Sequence, residues 1–308
     1  MKTSPEFADR LSQATAAKYY HPIHDIDWSH PIDLERFYLP ERFLSIHGTN
    51  TYEGLTIEER RLLSLHELVS YYSAGIWLEN MLMYGFVVHL YEMDFSDPDV
   101  RYMLHELGDE ANHSIMFHEF IRRAGLGYAP MRPLSHLLMR MAHRQMARLN
   151  PYLFFIGILI GEESPDFVAR ATRQDENVHP IVRRIMEVHS IEEGRHIAYA
   201  REYLTRHFES AGALRKWHAR LATPIGVIQI LDEFYRPRWT KGYDAAPAHL
   251  KFRPEVKAAI TAARRERNPA RAALRRESLT RLVAFLEEIG AITPSTRREW
   301  RWLGLVEA

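Results

Sequence analysis

Residues 189–196 read His-Ser-Ile-Glu-Glu-Gly-Arg-His, which spaces His189, Glu193 and His196 three and four positions apart. On a helix, side chains at this spacing share one face and can bind one ion together. A second Glu-x-x-His tetrad, Glu110-Ala-Asn-His113, lies upstream. Either tetrad alone is a weak motif, because a chain with 17 histidines contains such matches by chance. The pair is informative only if other residues repeat with it.

The two tetrads belong to a repeat with a fixed offset of 83 residues, which also carries Glu79 onto Glu162. Both single acids lie in apolar helical stretches, where a carboxylate without a partner is costly. Several acids on inward helix faces would repel one another unless cations lay between them. One Glu from each of two helices and Glu-x-x-His from two more is the pattern of a ferritin-like di-metal bundle. The predicted ligands of the repeat are Glu79, Glu110, His113, Glu162, Glu193 and His196.

One position breaks the repeat, because His189 in the second half corresponds to Glu106 in the first. Both residues precede a predicted ligand by one helical turn and share its face. We predict that His189 is a third histidine ligand and that Glu106 orients a ligand imidazole through its other nitrogen. Glu163, next to Glu162, is a second acid expected to support the ligands without binding metal.

Hydrophobic periodicity and helix-end signals predict an all-α chain, a ferritin-like four-helix bundle with additional helices or arms at both ends. We treat residues 1–308 as one domain, with an irregular arm (1–56), the di-metal bundle (57–235) and a helical extension (236–308). The predicted helices span residues 58–91, 98–125, 133–165, 180–208, 213–235 and 279–289.

Composition narrows the chemistry. Forty basic and forty acidic residues cancel, so no net charge draws the chain to nucleic acid or to an anionic membrane. The absence of cysteine excludes zinc-thiolate and iron-sulfur sites and leaves histidine and carboxylate as ligands. This hard nitrogen and oxygen set suits two ions of iron or manganese. No apolar leader or membrane span is evident, so we expect a cytoplasmic protein.

The ligand set, and the context of residues 185–201, resemble the p-aminobenzoate N-oxygenase family of di-iron oxygenases over roughly residues 55–235. The third histidine, His189, distinguishes that family from other ferritin-like oxygenases. The resemblance implies an O₂-dependent monooxygenase that oxidises an aryl amine to a hydroxylamine and a nitro group through a peroxo species, in antibiotic biosynthesis. It also suggests a homodimer. The chain has no nucleotide fingerprint, so electrons would come from a reductase, a ferredoxin or a small reductant.

Other functions stay open at this stage. A di-iron C-hydroxylase or a desaturase would use the same bundle, although a desaturase does not require His189. A radical-generating relative of ribonucleotide reductase would be expected to have tyrosine where this chain has Phe117. Iron storage fits a shorter chain better, and a helical scaffold or binding protein would need no metal. Tyr84, Phe86, Met116 and Phe117 are candidates for a substrate pocket, although each such residue is more often plain core packing.

The C-terminal extension contains an arginine-rich segment at residues 264–276. Acids and alanines interrupt the arginines, and the segment lacks the aromatic residues that stack on bases. We interpret it as a solvated helix face and not as a nucleic-acid site.

Overall fold

The computed structural model describes residues 5–133, 135–137 and 150–307, and the described part is helical with irregular connections. Within these ranges no helix is both long and apolar enough to cross a membrane. The α-helices are α1 Pro5–Ala17, α2 Asn50–Glu53, α3 Ile57–Leu90, α4 Pro98–Ala124, α5 Pro151–Gln174, α6 Pro180–His207, α7 Ala213–Tyr235, α8 Pro254–Ala263, α9 Pro269–Glu288 and α10 Arg297–Trp302. Single 3₁₀ turns lie at Glu41–Phe43, Tyr243–Ala245 and Ala248–Leu250.

The ends of the long helices follow local chemistry. Thr56 and Glu59 form a reciprocal capping box at the start of α3. Asp97 caps α4, with Pro98 in its first turn, and Gly125 ends this helix with a φ of 67°. Pro180 begins α6 in the same way. These signals explain why the predicted boundaries of the helices now labelled α3, α4, α6 and α7 agree with the structure within a residue or two.

Helices α3 to α6 form the bundle. The most extensive pairings join α3 to α4 and α5 to α6, so the bundle consists of two helix pairs. This division matches the two halves of the sequence repeat. Helix α7 packs across α5 and α3, α9 packs on α5, and α1 packs on α4. The additional helices cover the bundle from outside, and the repeated acids and histidines lie between the two pairs.

The N-terminal segment is less irregular than we predicted, because α1 is a helix. Its buried positions, Ala8, Ser12 and Thr15, carry small or hydroxyl side chains. Such a face gives no hydrophobic stripe in the sequence, which explains why the prediction was wrong there. Further along, the segment crosses to the bundle: the Phe37 amide donates to Asn177 O at 3.1 Å, and the His179 amide donates to Phe37 O at 2.8 Å.

The third predicted helix also differs from the structure. Residues 133 and 135–137 are helical, whereas the predicted continuation over 138–149 lies outside the described residues. A helix starts at Pro151 and does not end near Pro165, as predicted, but runs to Gln174. An internal proline removes one backbone hydrogen bond. Burial of Val168, Ala169 and Thr172 beyond it stabilises the continuation.

The C-terminal extension contains more helix than the single segment predicted over 279–289. Helix α9 starts ten residues earlier, at Asn268 and Pro269, where the Asn268 side chain accepts from the Arg271 amide. Two further helices, α8 and α10, flank it. The charged first half of α9 weakened the periodic signal, because few of its side chains are apolar.

Candidate metal centre

The structure brings all seven predicted ligands together inside the bundle. Each of the helices α3 to α6 contributes at least one of them, and every one is at most 4% exposed. Their potential ligand atoms form four overlapping groups, and within each group all atoms lie within 4.8 Å of one another. The groups are Glu79 with His113 and His189, Glu110 with Glu193 and His196, Glu162 with His189 and Glu193, and Glu79 with Glu110 and Glu162.

Two carboxylates lie between two imidazoles. Glu110 places Oε2 3.2 Å from His113 Nδ1 and Oε1 3.3 Å from His196 Nδ1. Glu193 places Oε1 3.1 Å from His113 Nδ1 and Oε2 3.1 Å from His196 Nδ1. Each acid therefore directs one oxygen to each imidazole. Both acids could therefore help to hold a pair of ions together with the two histidines.

His189 reaches the same cluster from one turn earlier on α6. Its Nε2 lies 3.5 Å from Glu79 Oε1 and 3.5 Å from Glu193 Oε1. The centroid of its ring is 4.6 Å from that of His113. His189 therefore belongs to the cluster, in agreement with the helical spacing of residues 189–196.

The chemistry of this donor set fits metal ions. Among the described residues, Glu79 Oε2 and both carboxylate oxygens of Glu162 have no hydrogen-bond partner, although they are buried. Burial, followed by the charges of neighbouring glutamates, raises the pKa of Glu79 and of Glu162 well above the ordinary value. A buried acid in such surroundings needs a cation. The missing partners are therefore those that a metal pair would supply.

The imidazoles respond to the same field. Burial acts to lower the pKa of His113, but hydrogen bonds to Glu110, Glu192 and Glu193 raise it well above 6.5. The pKa of His196 is also raised well above its ordinary value, because Glu193 and Glu110 outweigh the effect of burial. His189 differs, because burial lowers its pKa to about 4. A neutral imidazole is the form that binds a metal.

Two acids that the sequence reasoning missed hold the far nitrogens of the tetrad histidines. His113 Nε2 donates to Glu192 Oε2 at 2.9 Å, and His196 Nε2 donates to Asp109 Oδ2 at 3.4 Å. Arg195 Nη2 lies between the acids, 3.1 Å from Asp109 Oδ2 and 3.7 Å from Glu192 Oε1. Each acid directly precedes a Glu-x-x-His tetrad, and the offset of 83 relates the two. This signal was available in the sequence.

Glu106 does not orient an imidazole as we expected, whereas the supporting role of Glu163 stays a prediction. Both Glu106 oxygens lack a hydrogen-bond partner among the described residues, so Glu106 does not hold an imidazole. Burial raises the pKa of Glu106 to about 8. Glu163 accepts from Arg201 Nη2 at 2.6 Å and from Arg201 Nε at 2.9 Å. The expectation for Glu106 was wrong because the residue directly before each tetrad, and not the residue one turn earlier, faces the opposite helix pair.

Aromatic side chains close one side of the cluster. The Phe117 ring lies 5.3 Å from that of His189 and stacks on Tyr72 at 4.5 Å. Gly75 fits against Phe117, because a Cβ there would lie 3.0 Å from the ring. Of the other pocket candidates, Phe86 and Met116 are buried, whereas Tyr84 is 41% exposed. Phe117 is thus the candidate in direct contact with the cluster.

Comparison with known proteins agrees with this geometry. Residues 1–290 match the family model described as P-aminobenzoate N-oxygenase AurF. The chain belongs to this family. Membership and the buried cluster together give the cofactor, a pair of metal ions that are iron in this family, and the coarse activity, that of a di-iron oxygenase acting with O₂ on a small molecule.

Relatives of this chain include proteins of Mycobacterium bovis and Mycobacterium tuberculosis that are described as uncharacterized. Each is 30% identical over 239 residues, which cover 75% of this chain and 69% of the relative. Solved structures that align include an R2-like ligand-binding oxidase from Sulfolobus acidocaldarius, at 15% identity and a TM-score of 0.45, covering 88% of this chain and 90% of the other. A variant R2-like ligand-binding oxidase with an anaerobically reconstituted Mn/Fe cofactor aligns at 16% identity and a TM-score of 0.47, covering 93% of each chain.

Proposed function

We propose that this protein is an N-oxygenase that converts an aryl amine to a hydroxylamine and then towards a nitro compound. The observation that carries the proposal is the convergence of four carboxylates and three imidazoles in one buried cluster, with His189 as the third imidazole. A third histidine is the feature that separates the N-oxygenase family from other ferritin-like oxygenases. Family membership supports the same reaction.

In this proposal, seven side chains hold two iron ions. Glu110 and Glu193 would help to hold both ions, since each already directs one oxygen to each tetrad histidine. Glu79 and Glu162 would supply further oxygens, since Glu79 Oε2 and both Glu162 oxygens lack hydrogen-bond partners among the described residues. His113 and His196 would bind through Nδ1, because their Nε2 atoms are occupied by Glu192 and Asp109.

The iron pair would supply the reduction of O₂ that the protein side chains cannot perform. For the first step, one oxygen atom enters the N–H bond of the amine and the other leaves as water. Two electrons and two protons are consumed, and both electrons come from an external donor. The sequence has neither cysteine nor a nucleotide-binding fingerprint that would supply them internally.

The protein's own contribution is to keep the reacting site dry and the ligands oriented. Phe117 lies beside His189, and Tyr72 and Gly75 pack against Phe117, so apolar groups cover that side of the cluster. Asp109, Glu192 and Arg195 form a charged network behind the tetrad histidines. Exclusion of water from the site strengthens the electrostatic interactions inside it.

A single-turnover experiment tests the proposal. The iron-loaded, reduced protein is mixed with ¹⁸O₂ and a panel of aryl amines, and the products are analysed by mass spectrometry. We expect one ¹⁸O on nitrogen in the hydroxylamine, and no product from protein loaded with redox-inactive zinc. Label on carbon would replace the proposal with a C-hydroxylase, and a new double bond without label would replace it with a desaturase. If the purified protein failed to bind iron in stoichiometric amounts, the oxygenase function would be ruled out.

A further inference from the structure

A cavity lined by arginines lies outside the metal cluster. It has a volume of about 780 Å³ and opens where the C-terminal helices meet the end of α7. Its wall also includes Trp239, Thr261, Asn268 and one acid, Glu266. We call this cavity the arginine pocket, after its eight lining arginines: Arg132, Arg236, Arg238, Arg264, Arg265, Arg267, Arg271 and Arg275.

The acids behind this wall are shared among several arginines. Asp232 lies 2.9 Å from Arg236 Nη1, 3.0 Å from Arg275 Nη2 and 3.7 Å from Arg132 Nη1. Glu233 contacts Arg238. Glu67 lies 2.8 Å from Arg264 Nη2. Within the described part of the chain, the cations of the pocket therefore outnumber the acids that contact or line it.

Several guanidinium groups have donors to spare. Arg265 and Arg267 are exposed and form no ion pair with any described residue. Among the described residues, Arg271 donates only to two backbone carbonyls, Ser45 O at 3.3 Å and Arg264 O at 3.4 Å. Arg238 Nε and Nη1 are buried and have no acceptor among the described residues. An unsatisfied buried donor is costly, so a bound acceptor would stabilise this wall.

Like-charge crowding adds to this deficit. Burial, followed by the charge of nearby Arg236, lowers the pKa of Arg271 below its usual value. Burial also lowers the pKa of Arg275, and Arg236 acts in the same direction against the attraction of Asp232. The charged forms of these side chains are therefore less stable than in water, and an anion would reverse that effect.

The number of donors indicates the class of anion. A terminal phosphate group offers three oxygens and close to two charges, whereas a carboxylate offers two oxygens and one charge. The volume falls within the range of about 300–1,000 Å³ typical of small-molecule sites, so it exceeds what free phosphate needs. We propose that the arginine pocket binds a small organic phosphate that carries two or more negative charges.

The arginine pocket is separate from the metal centre. The backbone amide of Arg238 donates to Ser70 Oγ on α3 at 3.0 Å. Ser70 precedes Glu79 by nine residues, which corresponds to roughly 13 Å along a helix. Binding in the pocket is thus independent of the proposed reaction, and failure of the N-oxygenase assignment would leave it untouched.

Titration calorimetry on the full-length, iron-loaded protein tests the proposal. The probes are fructose 1,6-bisphosphate, inorganic phosphate and 1,2,3,4-butanetetracarboxylate, the last as a carboxylate of comparable charge. We expect the bisphosphate to bind more tightly than either of the other two. Iron is assayed after each titration so that removal of metal is not mistaken for binding. No binding of the bisphosphate, or equal binding of the tetracarboxylate, would overturn the proposal.

A matched pair of variants locates the site. Arg265→Ala combined with Arg267→Ala removes two exposed arginines of the pocket, and Arg298→Ala combined with Arg301→Ala removes two exposed arginines elsewhere in the same extension. Loss of charge-assisted hydrogen bonds should weaken bisphosphate binding by about tenfold or more in the pocket variant. The control variant should bind as the wild type does. Equal weakening in both would indicate diffuse attraction and would contradict a pocket.

Discussion

Glu192 Oε2 lies 2.9 Å from His113 Nε2, although the two residues are 79 positions apart and lie on different helices. Asp109 stands in the reciprocal relation to His196, at 3.4 Å. Each acid directly precedes one Glu-x-x-His tetrad and holds the histidine of the other. The two halves of the repeat therefore fix one another's imidazoles, with both Nδ1 atoms turned towards Glu110 and Glu193.

We predict that Glu192→Gln weakens iron binding without unfolding the protein. A neutral amide in place of the carboxylate makes the imidazole of His113 a weaker metal ligand. Loss of such a partner typically costs about 10- to 100-fold in metal affinity or activity. Competition with a chelator measures the affinity. Glu192→Asp, which keeps the charge, should recover part of the loss. Glu187→Gln, a half-exposed acid on the same helix, is the control. Wild-type affinity in Glu192→Gln would show that the contact does not tune the site.

His189 provides a second prediction. Its Nε2 lies 3.5 Å from both Glu79 and Glu193, so His189→Ala removes one proposed ligand but leaves the two tetrads intact. We expect one of the two irons to be bound more weakly and turnover to fall by at least about tenfold, as for other changes around metal ligands. Iron analysis and single-turnover rates measure both effects. His249→Ala, at an exposed position, is the control. Full activity with two irons per chain would remove His189 from the ligand set.

The repeat explains why so much of the site was predictable from sequence. Helical geometry places positions i, i+3 and i+4 on one face, and an offset that carries Glu79 onto Glu162 as well as one tetrad onto the other is hard to obtain by chance. The inward direction of these faces followed from the apolar residues around them. The structure accordingly brings every predicted ligand into one cluster.

Other features of the site and the fold depend on contacts between distant parts of the chain, which the sequence alone does not show. Asp109 and Glu192 repeat at the 83-residue offset, so their place beside each tetrad was visible in the sequence. Which histidine each acid holds was not visible, because spacing along one helix does not reveal a partner on another. The face of α1 formed by Ala8, Ser12 and Thr15 has no hydrophobic signature. The arginine-rich segment was expected to be a solvated face, yet several of its side chains meet Asp232 and Glu67 from distant parts of the chain. Such long-range contacts are invisible to local periodicity.

His66 predicts a specific pH dependence of stability. It is buried beside Trp239 and Tyr243, with Nε2 2.9 Å from Leu250 O, and burial lowers its pKa to about 4 from 6.5. Because the folded pKa lies below the unfolded one, the unfolded chain binds more protons between these values. The contribution is complete above about pH 6.5 and is lost as the pH falls towards 4, by up to about 3 kcal/mol.

The measurement for His66 compares urea unfolding of the wild type and His66→Gln at several pH values between 4 and 7. Glutamine does not titrate, so the difference in unfolding free energy between the two proteins should shrink as the pH falls. Contributions from all other groups cancel in that difference when they are independent of the substitution. A difference that stays constant with pH would mean that folding leaves the pKa of His66 unchanged, and would contradict the prediction.

Glu162 separates a metal ligand from an ordinary buried acid. In the metal-free protein, burial and the charges of Glu193, Glu110 and Glu79 oppose its ionisation. Glu162→Gln should therefore raise the melting temperature of the metal-free protein by roughly 1–2 °C, since about 1 kcal/mol corresponds to roughly 2–4 °C in domains of 150–250 residues and to less in a longer chain. Iron should reverse the order, because a ligand that binds the folded state stabilises the wild type more.

The neighbouring Glu163 is the matched control for this reversal. Burial raises the pKa of Glu163, but its carboxylate is paired with Arg201 at 2.6 Å. Glu163→Gln leaves Arg201 without this acid and should lower the melting temperature with or without iron. Its iron affinity should remain close to that of the wild type. If Glu162→Gln behaved like Glu163→Gln, its carboxylate would be a structural group. The crowding of acids inside the bundle would then need an explanation other than bound metal.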